Sequence, residues 1–213
     1  MDLYFFDLDK TLYAYNFRYR LPELARLTGS SQYHLAKTWW AAGYEARAEA
    51  GEWQTAGAYL DAFAEVTSTR LLSLEEWASA RALAMSPIPG SIAALARAAE
   101  LGTVSLLSNN PAATATAMPQ LAPLACEILN GNLLFSYHLR SRKPDEEIYL
   151  RALEHYGVAA ENTFFADDSL ANVLGARAVG ITAHQLIAVD GVYQTDALSA
   201  SIEAFARRNA GTS

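Results

Sequence analysis

Three short runs, each cut off at its C-terminal end by polar residues, constrain this chain more than anything else in it. Residues 3–6 (Leu-Tyr-Phe-Phe) stop at Asp7, residues 103–107 (Thr-Val-Ser-Leu-Leu) at Ser108, and residues 163–166 (Thr-Phe-Phe-Ala) at Asp167. Short apolar runs of this kind read as buried strands, and residues 181–187 read as one more. Helical patterns separate them. One is capped by Ser91, carries Ile92, Leu95 and Ala99, and stops at Gly102; a second covers 145–156 with Ile148, Leu150 and Leu153; a third runs from Asn172 to Val179 and closes at Gly180. Strand–helix alternation predicts a parallel sheet covered by helices.

Residues 21–86 have a different texture, helical with no convincing strand. Pro22 suits the first turn of a helix that Gly29-Ser30-Ser31 ends. A second helix carries Leu35, Trp39 and Ala42 and breaks at Gly51. A third holds Tyr59, Leu60 and Phe63. Ser73-Leu74-Glu75-Glu76 has the capping-box form that opens a fourth, with Trp77 and Leu83. Residues 13–20, rich in Tyr and Arg, read as irregular, and Pro87-Ile88-Pro89-Gly90 is punctuation between the two textures. The expected fold class is α/β: a doubly wound, Rossmann-like parallel sheet with an inserted helical bundle. Residues 1–14 and 88–213 form the core domain, residues 15–87 the insert, and the tail 208–213 is expected to fray.

With 213 residues, 52% hydrophobic and 18% charged, the chain can bury one sizeable core plus a modest accessory unit. The net charge of −7, with Arg140-Ser141-Arg142-Lys143 as the longest basic cluster, argues against a nucleic-acid polymer as partner. The single cysteine, Cys126, excludes an intrachain disulfide and a cysteine-based zinc site. No run approaches the ~20 apolar residues that span a bilayer, and the short acidic start is unlike a signal peptide. These features predict a cytoplasmic protein without a membrane partner.

Ligands of an open parallel sheet bind outside the carboxyl ends of its strands. There the sequence puts Asp7-Leu8-Asp9-Lys10-Thr11, Ser108-Asn109-Asn110 and Asp167-Asp168-Ser169, with Lys143-Pro144 just before the helix that leads to the last of these. Carboxylates gathered at one edge repel one another unless a cation intervenes. Mg²⁺, an oxygen-seeking cation that commonly binds through one or two carboxylates and a phosphate, fits such a set. A carboxylate attacks phosphorus once a metal and a lysine neutralise the phosphate oxygens, and a second carboxylate two residues on can serve as proton donor.

Asp7-x-Asp9-x-Thr11, Ser108, Lys143-Pro144 and Asp167-Asp168, in this order and each at a strand or helix edge, resemble the four motifs of the haloacid dehalogenase-like hydrolase superfamily. The helical insert resembles its C1-type cap. The resemblance implies that Asp7 is the nucleophile and a Mg²⁺ ligand. Asp9 would be general acid and then base, with its backbone carbonyl on the metal. Thr11 and Ser108 would bond the transferring phosphoryl group, and the Asn109 N–H would support it. Lys143 would hold its charge against Asp7 and the phosphate. Asp168 would be a direct metal ligand, Asp167 would act through a metal-bound water, and Asn172 would orient the acidic pair. Lys10 stands where relatives often carry Gly or Asn.

Asp9 favours phosphate esters, whose alkoxide leaving group needs a proton, over halide expulsion, which does not. Lys37, the only lysine of the insert, has no surroundings that suggest Schiff-base chemistry. The implied activity is a Mg²⁺-dependent phosphomonoesterase acting on a small phosphorylated metabolite, in a monomer or homodimer. Phe5-Phe6-Asp7-Leu8-Asp9 with Tyr13 looks nucleotidase-like, and Gly51-Glu52 with the later motifs looks like sugar-phosphate phosphatases. A sugar phosphomutase, a dehalogenase and a non-catalytic phosphate-binding regulator are the alternatives. The aromatics of residues 13–19, with Trp39 and Trp40, either line a substrate pocket or pack the bundle. His34, His138, His155 and His184 show no metal-ligand spacing.

Overall fold

The computed structural model describes residues 2–211. In chain order the elements begin with β1 (Leu3–Phe6), β2 (Tyr13–Tyr15), α1 (Phe17–Thr28), α2 (Gln32–Leu35), which continues as a π-helical turn over Ala36–Trp40, α3 (Tyr44–Glu49), α4 (Ala56–Thr67), α5 (Leu74–Ala82) and β3 (Met85–Pro87). There follow α6 (Pro89–Leu101), β4 (Thr103–Ser108), α7 (Ala112–Leu121), α8 (Pro123–Leu129), β5 (Leu133–Phe135), α9 (Ser136–Leu139) and α10 (Glu146–Tyr156). The chain closes with β6 (Thr163–Asp167), α11 (Leu170–Ala178), β7 (Thr182–Gln185), β8 (Ala188–Val189), β9 (Val192–Tyr193) and α12 (Thr195–Ala210).

Five strands form one sheet in the order β5-β4-β1-β6-β7, every pair parallel. β1 lies at its centre and both faces are covered, which is why its four residues are all apolar. Tyr4 and Phe6 point into one cluster with Leu106, Phe164 and residues of α6, α8 and α12. Leu3 and Phe5 point into another with Leu107, Phe165 and residues of α10 and α11. The alternation of faces is the ordinary period of a strand. Removing a ring such as Phe6 from this centre would cost about 3–5 kcal/mol.

The register sets the site. Phe6 pairs with Leu106 of β4 and Ala166 of β6. The next residue of β1, Asp7, therefore emerges between the ends of β4 and β6, and its N–H donates to the Ala166 carbonyl at 2.9 Å.

The helical insert has its own core around Trp39, Tyr59, Phe63 and Trp77, closed by Ala113, Ala117 and Leu121 of α7. Its entry and exit strands, β2 and β3, pair antiparallel with Tyr13 opposite Pro87. Strand structure here corrects the irregular reading of residues 13–20 and the strandless reading up to residue 86. Asn16 caps α1, so Pro22 sits inside that helix rather than in its first turn. The second helix is divided, because Gly43 (φ +84°) lets the chain turn between the π-helical segment and α3. Ser91 is buried within α6 rather than capping it, since Ile88 precedes a helix that starts on Pro89. At the other end α12 extends to Ala210, so residues 208–210 are helical rather than frayed, and residues 212–213 lie outside the described ones.

The insert touches the sheet domain beyond its strands. Gly51 (φ +88°) sits so close to the Tyr137 carbonyl that a Cβ would lie 2.4 Å from it. Gln54 Nε2 donates to that same carbonyl at 3.1 Å. Among the described residues no helix is long and apolar enough to cross a membrane.

Candidate active site

Asp7 is buried, and one of its oxygens carries the whole local network. Oδ1 accepts from Lys143 Nζ at 2.7 Å and from Ser108 Oγ at 2.8 Å. Oδ2 has no partner among the described residues and is left to face the site.

Lys143 spends all three ammonium donors inside the protein: on Asp7, on Asp167 Oδ2 at 2.6 Å, and on the Leu107 carbonyl at 2.8 Å. A primary ammonium has three N–H groups, so its position is fully determined. Its backbone is fixed as well. Asn109 Nδ2 donates to the Lys143 carbonyl and Lys143 N–H donates to Asn109 Oδ1, both at 2.9 Å. The Asn109 side chain thus clamps the lysine segment to the end of β4, a use that its place beside Ser108 did not disclose.

Asp167, fully buried at the end of β6, accepts from Ser169 N–H (2.8 Å), Asn172 Nδ2 (3.0 and 3.1 Å) and Lys143. Asn172 therefore orients the first carboxylate of the acidic pair. Asp168 is half-exposed beside it, and its backbone carbonyl accepts from Gln185 Nε2 at 3.0 Å.

Carboxylate oxygens of Asp7, Asp167 and Asp168 lie within 4.8 Å of one another. Asp7 and Asp167 share one ammonium while Asp168 adds a third carboxylate beside them, and the electrostatics register the surplus. Burial pushes the Asp7 carboxyl up to about 7, Asp167 and Asp9 push it the same way, and Lys143 opposes them. Asp168 is raised by burial and by Asp167. Lys143 is raised despite its burial, because Asp167 and Asp7 both favour its charged form. An all-oxygen donor set with excess negative charge is what a hard divalent cation satisfies, so the residues present fit Mg²⁺.

Asp9 points elsewhere. Its carboxylate accepts from Arg81 Nη2 of α5 at 2.6 and 2.9 Å and from Asn110 Nδ2 at 3.3 Å. Asn110 also donates to Ser108 Oγ at 3.0 Å. The loop between them is tight, with Lys10 at φ +61° and the Leu12 and Tyr13 N–H groups both donating to the Leu8 carbonyl. Thr11 is buried within this loop, and its hydroxyl has no partner. The left-handed backbone at residue 10 explains why Gly or Asn suits that position.

Arg81 and Asn110 were given no role from the sequence. Asn110 carried a signal, since it belongs to the polar stretch at the end of β4. Arg81 carried none: it sits 72 residues from Asp9 in the chain, in the last turn of a helix recognisable only by its cap. Of the aromatics in residues 13–19, Tyr15 lies under the Arg81 guanidinium at 4.9 Å, Tyr13 is buried in the sheet core, and Phe17 packs on Trp40. Trp39 sits in the middle of the helical core. Lys37 is exposed beside Tyr33. His34 bonds the Thr67 carbonyl and His184 bonds Ser201, both away from the site.

The sesquiterpene phosphatase astK of Aspergillus oryzae is 39% identical over 62 residues, which are 29% of this chain and 28% of that protein. The matched part is thus under a third of the relative's length. A HAD family enzyme of Bacteroides thetaiotaomicron superposes with a TM-score of 0.73 at 19% identity, over 89% of this chain and 95% of that one. A second structure of that enzyme, in complex with magnesium and inorganic phosphate, superposes at 0.70 and 19% identity, over 89% and 96%. A HAD phosphatase from Thermococcus onnurineus gives 0.59 at 19% identity, over 88% and 86%. At such identities the likeness is one of fold. Residues 1–180, which span β1 to α11 and so include the three strand-end clusters and Lys143, match the haloacid dehalogenase-like hydrolase family, and the chain belongs to that family.

Proposed function

We propose that the chain is a Mg²⁺-dependent phosphomonoesterase acting on a small phosphorylated metabolite, a sugar phosphate or a nucleoside monophosphate, through an aspartyl-phosphate. The observation that carries this reading is Asp7 itself: Oδ1 is tied down by Lys143 and Ser108, while Oδ2 has no protein partner. A nucleophile held by one oxygen and free at the other is oriented for attack. In this reading Asp7, Asp168 and the Asp9 carbonyl hold the metal, with Asp167 behind a bound water. When bound, the cation supplies positive charge to the phosphate oxygens and to the crowded carboxylates.

The protein's own residues account for the rest. Asp7 forms the bond to phosphorus as the ester oxygen leaves, and Asp9 gives that oxygen its proton. Water then attacks the phosphorus, Asp9 takes its proton, and phosphate departs from Asp7. Ser108, Thr11 and the Asn109 N–H bond the phosphoryl oxygens, and Lys143 offsets their charge. The insert, residues 15–87, acts as a cap that encloses the substrate.

The match to a named phosphatase and the fold shared with an enzyme that binds magnesium and inorganic phosphate support phosphoryl chemistry. The test is Mg²⁺-dependent hydrolysis of p-nitrophenyl phosphate. Asp7→Asn should lower turnover by about 10⁴-fold or more, as loss of a covalent nucleophile does, with the circular dichroism spectrum unchanged. Turnover that survives this substitution sinks the assignment.

A further inference from the structure

The side of the site that belongs to the helical insert contains buried cations whose donors are only partly used. Arg81 is 3% exposed, yet a single nitrogen, Nη2, makes both contacts to Asp9, and its Nε is buried without a partner. A guanidinium built for a permanent ion pair usually meets a carboxylate with two nitrogens in parallel. Here that fork is unused. The ring of Tyr15 lies against the Arg81 guanidinium, and the Tyr15 hydroxyl accepts from Nη1 of Arg20 at 3.2 Å. Arg20 is itself 1% exposed, lies against the rings of Trp77 and Trp40, and has both Nε and Nη2 unpartnered. Two buried guanidiniums therefore flank Tyr15 beside Asp9, with three nitrogens unmatched. Folded proteins rarely leave buried donors without acceptors, and charged donors least of all.

We propose that Arg81 is the specificity-determining residue of the site and takes a second anionic group, carboxylate or phosphate, on the substrate. The inference rests on the phosphatase reading above and adds the substrate class to it. Such a ligand exchanges with Asp9 for the guanidinium and engages the fork that Asp9 leaves idle. Arg20, acting through Tyr15, contributes positive charge and holds the ring that supports Arg81. Arg81 belongs to the same network as the nucleophile: Arg81, Asp9, Asn110, Ser108 and Asp7 form one continuous hydrogen-bonded chain with links of 2.6, 3.3, 3.0 and 2.8 Å. A molecule with its phosphate over Asp7 and an acid group at its other end would join the two ends of that chain. A phosphate ester with an uncharged tail leaves the fork empty.

The experiment is titration calorimetry of the Mg²⁺-loaded protein with two matched pairs. Phosphoserine differs from phosphoethanolamine by a carboxylate, and fructose 1,6-bisphosphate differs from fructose 6-phosphate by a phosphate. In at least one pair the doubly anionic member should bind roughly tenfold tighter or more, and the pair that responds identifies the anion. Arg81→Gln should bring that ratio close to one, and Arg81→Lys, which keeps the charge and loses the fork, should leave it in between. Equal affinities in both pairs overturn the proposal, as does a ratio that survives Arg81→Gln in a protein with an unchanged melting curve. Calorimetry needs no turnover. Failure to hydrolyse p-nitrophenyl phosphate therefore counts against the phosphatase reading, and equal affinities count against this one.

Discussion

The site has two halves built on opposite rules. On the sheet side, Lys143 uses every donor, Asp167 is bonded at both oxygens and Asn109 clamps the lysine backbone, so that around the lysine only Asp7 Oδ2 and, in the neighbouring loop, the Thr11 hydroxyl are left open. On the helical side, Arg81 and Arg20 are as deeply buried but leave three nitrogens idle, and Glu49 meets only Arg142. A saturated network fixes atoms in place, which suits groups that must meet phosphorus in one geometry. An unsaturated one keeps capacity for a partner from outside. The contrast assigns chemistry to the sheet and selection to the insert.

The harshest way to break the comparison is to remove the hub of the saturated half. Lys143→Met leaves Asp7 and Asp167 buried without their counter-ion, and removing one partner of a buried ion pair costs about 3–5 kcal/mol. Urea unfolding in Mg²⁺-free buffer should show that loss, and added Mg²⁺ should restore part of it by binding the freed carboxylates. A loss under about 1 kcal/mol, the usual range for exposed pairs, would mean the network is not the anchor its geometry indicates.

The other half makes a prediction about pH. Burial, then the charges of Glu45 and Asp9, push the Glu49 carboxyl up to about 7 against the pull of Arg142. In the unfolded chain Glu49 loses its proton near its ordinary value of 4.5. Below that pH both states hold the proton and the group is neutral in its effect. Between about 4.5 and 7 only the unfolded chain has released it, so stability falls as pH rises through this window. The full difference corresponds to about 3 kcal/mol. Glu49→Gln should lessen the slope of this part of the stability–pH curve without removing it, because the Asp7 carboxyl, also raised to about 7, titrates through the same window. A curve that keeps its slope in the variant would show that the insert does not carry the strain.

The same division decided what could be read from the sequence. β1, β4 and β6 were legible because a strand buried on both faces must be apolar throughout and must end abruptly where it reaches the site. Asp7, Ser108 and Asp167 followed from those ends, and Lys143 from the Lys143-Pro144 pair and the family resemblance. β2 and β3 were not legible: each has three residues, and their pairing joins positions seventy or more residues apart, which leaves no local period to detect. The π-helical turn of residues 36–40 hid inside a helical pattern because five residues are too few for its wider period to be told from that of an α-helix. Arg81 reads as an ordinary helix-end cation, and only the folding of α5 over the Asp9 loop gives it a partner.

The smallest effect falls where the two halves meet. Lys10 adopts φ +61° between the two aspartates of the loop, a conformation that disfavours side chains with a Cβ by about 1–2 kcal/mol. Its N–H donates to the Tyr13 carbonyl at 2.6 Å, a bond any residue can make, so no backbone contact depends on lysine. Lys10→Gly relieves the strain but adds freedom to the unfolded chain, and the balance should be a gain of about 0.5–1 kcal/mol. Its charge also lowers the Asp168 carboxyl, against the burial and Asp167 that raise it. If that charge counts, Lys10→Gly should gain stability and tighten Mg²⁺ together, since the cation then replaces the lysine as neighbour to Asp168. A stabilised protein with unchanged Mg²⁺ affinity would confine Lys10 to the loop backbone, and a destabilised one would show that the lysine side chain holds the two halves together.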